Sequence, residues 1–165
     1  MWNILRNIFS FNKARAVSTN GQTILVIDDG EVERQFMVRS LAKVGYTVHT
    51  RSDGDSGLEA ARSLRPDIII LDYLMPGMDG QAVCRKLKSD PQTRNIPVIF
   101  LTGSSRPETV ITCYDIGADQ YLSKPISAKA LTDQVQTTLA QNPPPDQKGI
   151  ANPAEADKIE TRTKP

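Results

Sequence analysis

From residue 22 to residue 141, short runs of β-branched and other apolar residues alternate with stretches whose apolar positions recur at helical spacing, five of each. The runs predict strands at 23–27, 47–50, 67–71, 97–101 and 120–122. The first, third and fourth are continuous in Ile, Val and Leu, as strands covered on both faces are, whereas the second and fifth are weaker and belong nearer the edges. Helices are predicted at 31–44, 54–64, 80–89, 107–116 and 127–139. In the first, Val32, Phe36, Leu41 and Val44 fall at near-helical spacing, and Gly45 suits a left-handed cap. Pro66 closes the second, Gly117 follows the fourth, and Asp79 and Ser127 are placed to cap the third and fifth. This order predicts an α/β domain with a doubly wound, five-stranded parallel sheet flanked by five helices.

Outside that domain the pattern changes twice. At residues 1–21, plotted as a helix, Trp2, Ile4, Leu5, Ile8, Phe9 and Phe11 occupy one half of the circumference, with Asn3, Arg6, Asn7 and Ser10 on the other. So short a stretch is marginal as a helix by itself. It is open to ordering on a membrane surface, on a partner, or against its own domain, and equally to being a loosely packed end. At residues 142–165 the chain holds five prolines and no aromatic residue, which predicts a disordered tail.

Charge narrows the partners. Arg6, Lys13 and Arg15 stand in residues 1–22 with no acid, while the tail balances its acids and bases, so a formal net charge of +1 leaves the middle mildly acidic. That argues against a nucleic-acid-binding core. No apolar run approaches the roughly 20 residues of a membrane span, and Arg6 and Asn7 interrupt what would be a secretory signal, so the domain is expected to be cytoplasmic. Cys84 and Cys113 lack the spacing of a metal site or redox pair and read as small core residues. His49, the one histidine, has no nucleophile at a recognisable spacing and reads as an ordinary packing or exposed residue, not a catalytic one.

The chemistry lies at the strand ends. Asp28 and Asp29 follow the first predicted strand, Asp72 ends the third, and Lys124 follows the fifth. In a parallel α/β sheet the ligand crevice lies at the carboxyl edge, so these acids converge. Packed carboxylates repel, a hard divalent cation such as Mg²⁺ relieves them, and a lysine adds a fixed charge for an incoming anion. The chemistry suggested is phosphoryl transfer.

Asp28-Asp29, the stretch Asp72-Tyr73-Leu74-Met75-Pro76-Gly77-Met78-Asp79-Gly80, Thr102 thirty positions beyond Asp72, and Lys124-Pro125 together resemble the response-regulator receiver domain of two-component signalling. The resemblance covers about 120 residues and implies the flavodoxin-like receiver fold. It implies that Asp72 accepts a phosphoryl group from a phosphohistidine donor, with Mg²⁺ held by Asp29, Asp72 and the carbonyl of Leu74 and with Asp28 acting through water. The resemblance further implies that Lys124 pairs with Asp72 before transfer and with a phosphoryl oxygen afterward, and that the peptide before Pro125 is cis. It implies as well that Thr102 hydrogen-bonds the phosphoryl group, that Tyr121 turns inward behind it, and that Gly103 leaves room for the donor. Leu74 departs from the polar residue often found two places after the acceptor, which points to an altered phosphate lifetime.

These readings lead to a receiver without an output domain, since 24 residues from Asn142 cannot form a winged helix or an enzyme. The expected input partner is a histidine kinase or phosphotransfer protein, and the output partner is an unknown protein bound through the fourth helix, fifth strand and fifth helix. The enzymatic rival, a Mg²⁺-dependent phosphohydrolase, would need a second acid where Leu74 stands. A phosphate-independent scaffold would leave the site unused.

Overall fold

The computed structural model describes residues 21–104 and 106–143. The amphipathic segment expected at 1–21 and the tail expected at 142–165 lie outside these, apart from their innermost residues.

Five strands, β1 (Thr23–Ile27), β2 (Thr47–Arg51), β3 (Ile68–Asp72), β4 (Val98–Thr102) and β5 (Gln120–Ser123), alternate with α1 (Glu31–Ala42), α2 (Gly54–Leu64), α3 (Gly80–Ser89), α4 (Pro107–Asp115) and α5 (Ala128–Gln141). The strands form one parallel sheet in the order β2-β1-β3-β4-β5. The two weak strands stand at the edges, as their broken apolar character predicts, and β1, β3 and β4 are buried almost throughout.

Side chains alternate between the two faces. Ile24, Val26, Ile68, Ile70, Ile99 and Leu101 pack with Met37 and Leu41 of α1 and Leu131, Val135 and Leu139 of α5. Leu25, Ile27, Ile69, Leu71, Val98 and Phe100 pack on the opposite face with α2, α3 and Cys113 of α4.

The buried stripe of α1 differs from the expected one. Met37 and Leu41 are buried, while Val32, Phe36 and Val44 are exposed. Apolar residues stand on more than one side of this helix, so its own periodicity does not select a face. The sheet and the neighbouring α5 do, and they take the side that carries Met37 and Leu41.

The helix ends follow local chemistry. Asp53, Asp79 and Ser127 accept backbone N–H bonds from Ser56, Ala82 and Ala130, capping α2, α3 and α5. Gly45 and Gly117 have the positive φ expected of them, at 99° and 94°. Cys84 and Cys113 are fully buried free thiols, and burial pushes the Cys84 thiol up to about 11.

Candidate phosphoryl-transfer site

Strand register builds the site. Ile27 pairs with Leu71, so Asp28, one residue past the end of β1, falls beside Asp72, the last residue of β3. Asp72 pairs with Leu101 and Thr102 with Ser123, which puts Thr102 and Lys124 at the same carboxyl edge. Residues far apart in sequence are neighbours because parallel strands of equal length end together.

Carboxylate oxygens of Asp28, Asp29 and Asp72 lie within 4.8 Å of one another. Asp28 and Asp72 are buried and Asp29 is exposed. The Lys124 ammonium reaches into this group, donating to Asp28 Oδ2 at 3.0 Å and standing 3.1 Å from Asp72 Oδ1. The other oxygen of Asp28 accepts the Gly30 N–H at 2.8 Å, so both its oxygens are engaged by the protein. The Lys124–Pro125 peptide is cis, as the resemblance implies.

One ammonium does not balance three carboxylates. Burial raises the Asp72 pKa, the charges of Asp28 and Asp29 raise it further, and the bond and charge of Lys124 offset only part of this. For Lys124, burial lowers the pKa, but its bonds to Asp28 and Asp72 and their charges outweigh it, and the net shift is upward. Such a site is short of positive charge and rich in hard oxygen donors, a donor set that fits a divalent cation of the Mg²⁺ kind.

The remaining residues frame the cluster. The Thr102 hydroxyl is buried, donates to the Ser104 carbonyl at 3.0 Å and accepts the Ser104 N–H at 3.0 Å. Around Gly103 the space is open: an added Cβ would meet nothing within 4 Å. Leu74 is 70% exposed two residues past Asp72, so its apolar chain stands in solvent at the site's rim. Tyr121 is half-buried and makes an edge contact with Tyr114, ring centroids 6.1 Å apart.

Two features of the site were not legible beforehand. Lys124 bonds Asp28 as well as Asp72. Arg34 donates to the Asp28 carbonyl at 2.7 Å, holding the turn that carries the acid pair, and nothing in its spacing distinguishes it from a surface arginine. At the turn ahead of α3, Gly80 donates its N–H to the Tyr73 carbonyl at 3.1 Å and packs directly on the backbone of Asp72.

Comparison with known proteins places this geometry. Over 114 residues the chain is 43% identical to the response regulator PleD of Caulobacter vibrioides, covering 69% of this chain and 25% of that protein. It is 37% identical to the DNA-binding dual master transcriptional regulator RpaA of Synechocystis over 116 residues, covering 70% of this chain and 48% of that protein. The chain thus spans about a quarter to about half the length of the curated relatives it matches. Among solved structures, the Vibrio cholerae chemotaxis protein CheY4 superposes with a TM-score of 0.70 at 31% identity, covering 72% of this chain and 99% of that one. The signal receiver domain of a histidine kinase from Syntrophus aciditrophicus gives a TM-score of 0.66 at 34% identity, covering 81% and 99%. The family model of the response regulator receiver domain matches residues 24–136, the whole span from β1 into α5. With the five-stranded parallel sheet and the acid cluster at its carboxyl edge, that match makes the chain a member of the response regulator receiver domain family.

Proposed function

We propose that this receiver accepts a phosphoryl group on Asp72 from a phosphohistidine donor in a Mg²⁺-dependent reaction, and that the modified site switches binding to a partner protein. The observation that carries the reading is the convergence of three carboxylates within 4.8 Å around one lysine that bonds two of them.

Asp72 is the acceptor because it ends the central strand β3, where its carboxylate is positioned by buried backbone on both sides. Its oxygen attacks phosphorus, an O–P bond forms, the N–P bond to the donor histidine breaks, and the imidazole leaves with the electron pair. Asp29, Asp72 and the carbonyl of Leu74 would hold Mg²⁺, with Asp28 acting through water because its own oxygens are engaged by Gly30 and Lys124. Bound there, the cation neutralises the clustered acids and orients the phosphoryl oxygens. Lys124 moves its bond from Asp72 to a phosphoryl oxygen, so the charge that pairs the empty acceptor stabilises the filled one. The open space at Gly103 admits the donor.

The switch starts at Thr102. Its hydroxyl, now bonded to the Ser104 carbonyl, redirects toward the phosphoryl group, and the loop before α4 follows. Tyr121 then exchanges its edge contact with Tyr114 for an inward position, a shift between two arrangements biased by new phosphate contacts.

The test uses acetyl phosphate or a phosphorylated histidine protein as donor. Mass spectrometry is expected to find a single labile phosphoryl group that requires Mg²⁺ and is absent from Asp72→Asn. Sustained turnover of small phosphoesters would instead favour the phosphohydrolase, and partner binding indifferent to Asp72→Asn would favour a scaffold.

A further inference from the structure

The outer face of α4 is apolar and acidic at once. Ile111 and Tyr114 are 59% and 45% exposed, and Glu108 and Asp115 are exposed beside them. At 100° per residue these four fall on one side of the helix, opposite the buried Cys113, and the helix itself holds no lysine or arginine. Arg106 stands at its amino-terminal end. The exposed apolar pair of α1, Val32 and Phe36, has mixed surroundings: Arg39 and Lys43 lie on the same side, while Glu31 and Glu33 flank Val32.

Residues 1–20 carry the complementary pattern. Trp2, Ile4, Leu5, Ile8, Phe9 and Phe11 alternate with Arg6, and Lys13 and Arg15 follow, without a single acid. Basic and apolar together, this segment complements the face of α4, whose helix is acidic without a basic residue, better than the mixed charges of α1.

Connectivity allows the contact within one molecule. The chain enters β1 at its amino end, where Thr47 donates to the Gln22 carbonyl. α4 also finishes at that end of the sheet, since Asp119, just beyond it, donates its N–H to the Val98 carbonyl at the start of β4. Sheet order sets α4 two to three strand spacings from β1, a lateral offset of about 12 Å. Residues 16–21 can span up to about 20 Å, which exceeds that offset. A tether of this length supplies an effective concentration of about a millimolar, enough to populate a contact too weak to form between separate molecules.

We propose that residues 2–15 cover the outer face of α4 in the same molecule, with their apolar side chains on Ile111 and Tyr114 and their basic ones beside Glu108 and Asp115. This contact limits access of any other protein to α4. It does not depend on the chemistry at Asp72, so its test stands or falls apart from the proposed function.

Trp2, the one tryptophan of the chain, reports on the contact. In the full-length protein its emission is expected to be blue-shifted and protected from acrylamide, independent of protein concentration. Ile111→Asp combined with Tyr114→Ser is expected to shift it red and raise quenching severalfold, while Val32→Asp with Phe36→Ser leaves it unchanged. Arg6→Glu with Lys13→Glu, outside the span that the receiver family matches, should release Trp2 in the same way and gives the answer if the α4 variant does not fold by circular dichroism. The proposal is overturned if Trp2 is solvent-exposed in the wild type, or if only the α1 variant releases it, or if neither does. It is equally overturned if protection grows with protein concentration, which marks a second copy, or arises only with phosphatidylglycerol vesicles, which marks a membrane.

Discussion

Gly80 lies so close to Asp72 that a methyl group on its Cα would stand 2.1 Å from the Asp72 carbonyl oxygen. The first residue of α3 is therefore packed on the backbone of the acceptor, and the opposing atom is main chain that cannot rotate aside. Gly80→Ala is expected to destabilise the fold by about 1–3 kcal/mol, the usual range for overpacking, and to slow phosphorylation by displacing Asp72. Gly103→Ala serves as the contrast: its Cβ meets nothing, so stability stays within about 0.5 kcal/mol of wild type. Urea denaturation of both variants checks the pair.

Lys124 is shared between Asp28 and Asp72, with its side chain 28% exposed. Lys124→Ala leaves two buried carboxylates without their ammonium and is expected to cost about 2 kcal/mol, the lower end for a buried pair because solvent reaches one partner. Mg²⁺ binding should survive while the response of α4 to phosphorylation is lost. Calorimetric titration with Mg²⁺, together with hydrogen exchange in α4 before and after acetyl phosphate, separates the two effects.

Divalent cation binding should stabilise the native state by linkage. At a Mg²⁺ concentration one hundredfold above Kd the gain is about 2.7 kcal/mol, removed by chelation. Asp29→Asn, at the exposed member of the acid cluster, should leave stability without metal nearly unchanged and weaken this gain. Thermal unfolding with and without Mg²⁺ reads both. An equal gain in the variant would contradict the assignment of Asp29.

Leu74 puts an exposed apolar chain two residues past Asp72, in place of a polar one. Leu74→Asn is expected to speed loss of the Asp72 phosphoryl group severalfold, with stability within about 0.5 kcal/mol, since the side chain is mostly in solvent. Following the decay of the phosphorylated form after removing the donor tests this. An unchanged rate refutes it.

Cys84 links stability to alkaline pH. The unfolded thiol ionises around its ordinary 9.0, whereas burial holds the folded one up to about 11. As pH rises through this window the unfolded chain releases a proton that the native chain retains, so stability falls, by about 2–3 kcal/mol once both are passed. More than about one pH unit below the unfolded value of 9.0 this group contributes almost no slope. Cys84→Ala should flatten the alkaline limb of the stability profile, and both native thiols should resist Ellman's reagent until the protein unfolds.

Much of this protein was written locally. The alternation of strands and helices, the weak character of β2 and β5, the caps at Asp79 and Ser127, and the acids and lysine just past strand ends all follow from neighbours a few residues apart, which periodicity and turn chemistry encode directly. The tertiary structure decided what depends on distant segments. It chose Met37 and Leu41 rather than Val32 and Phe36 as the buried side of α1, because packing against the sheet and α5 settles a face that the helix leaves open. It also joined Lys124 to Asp28, 96 residues away. Strand register and helix docking fix those contacts, and no short-range pattern in the chain records them.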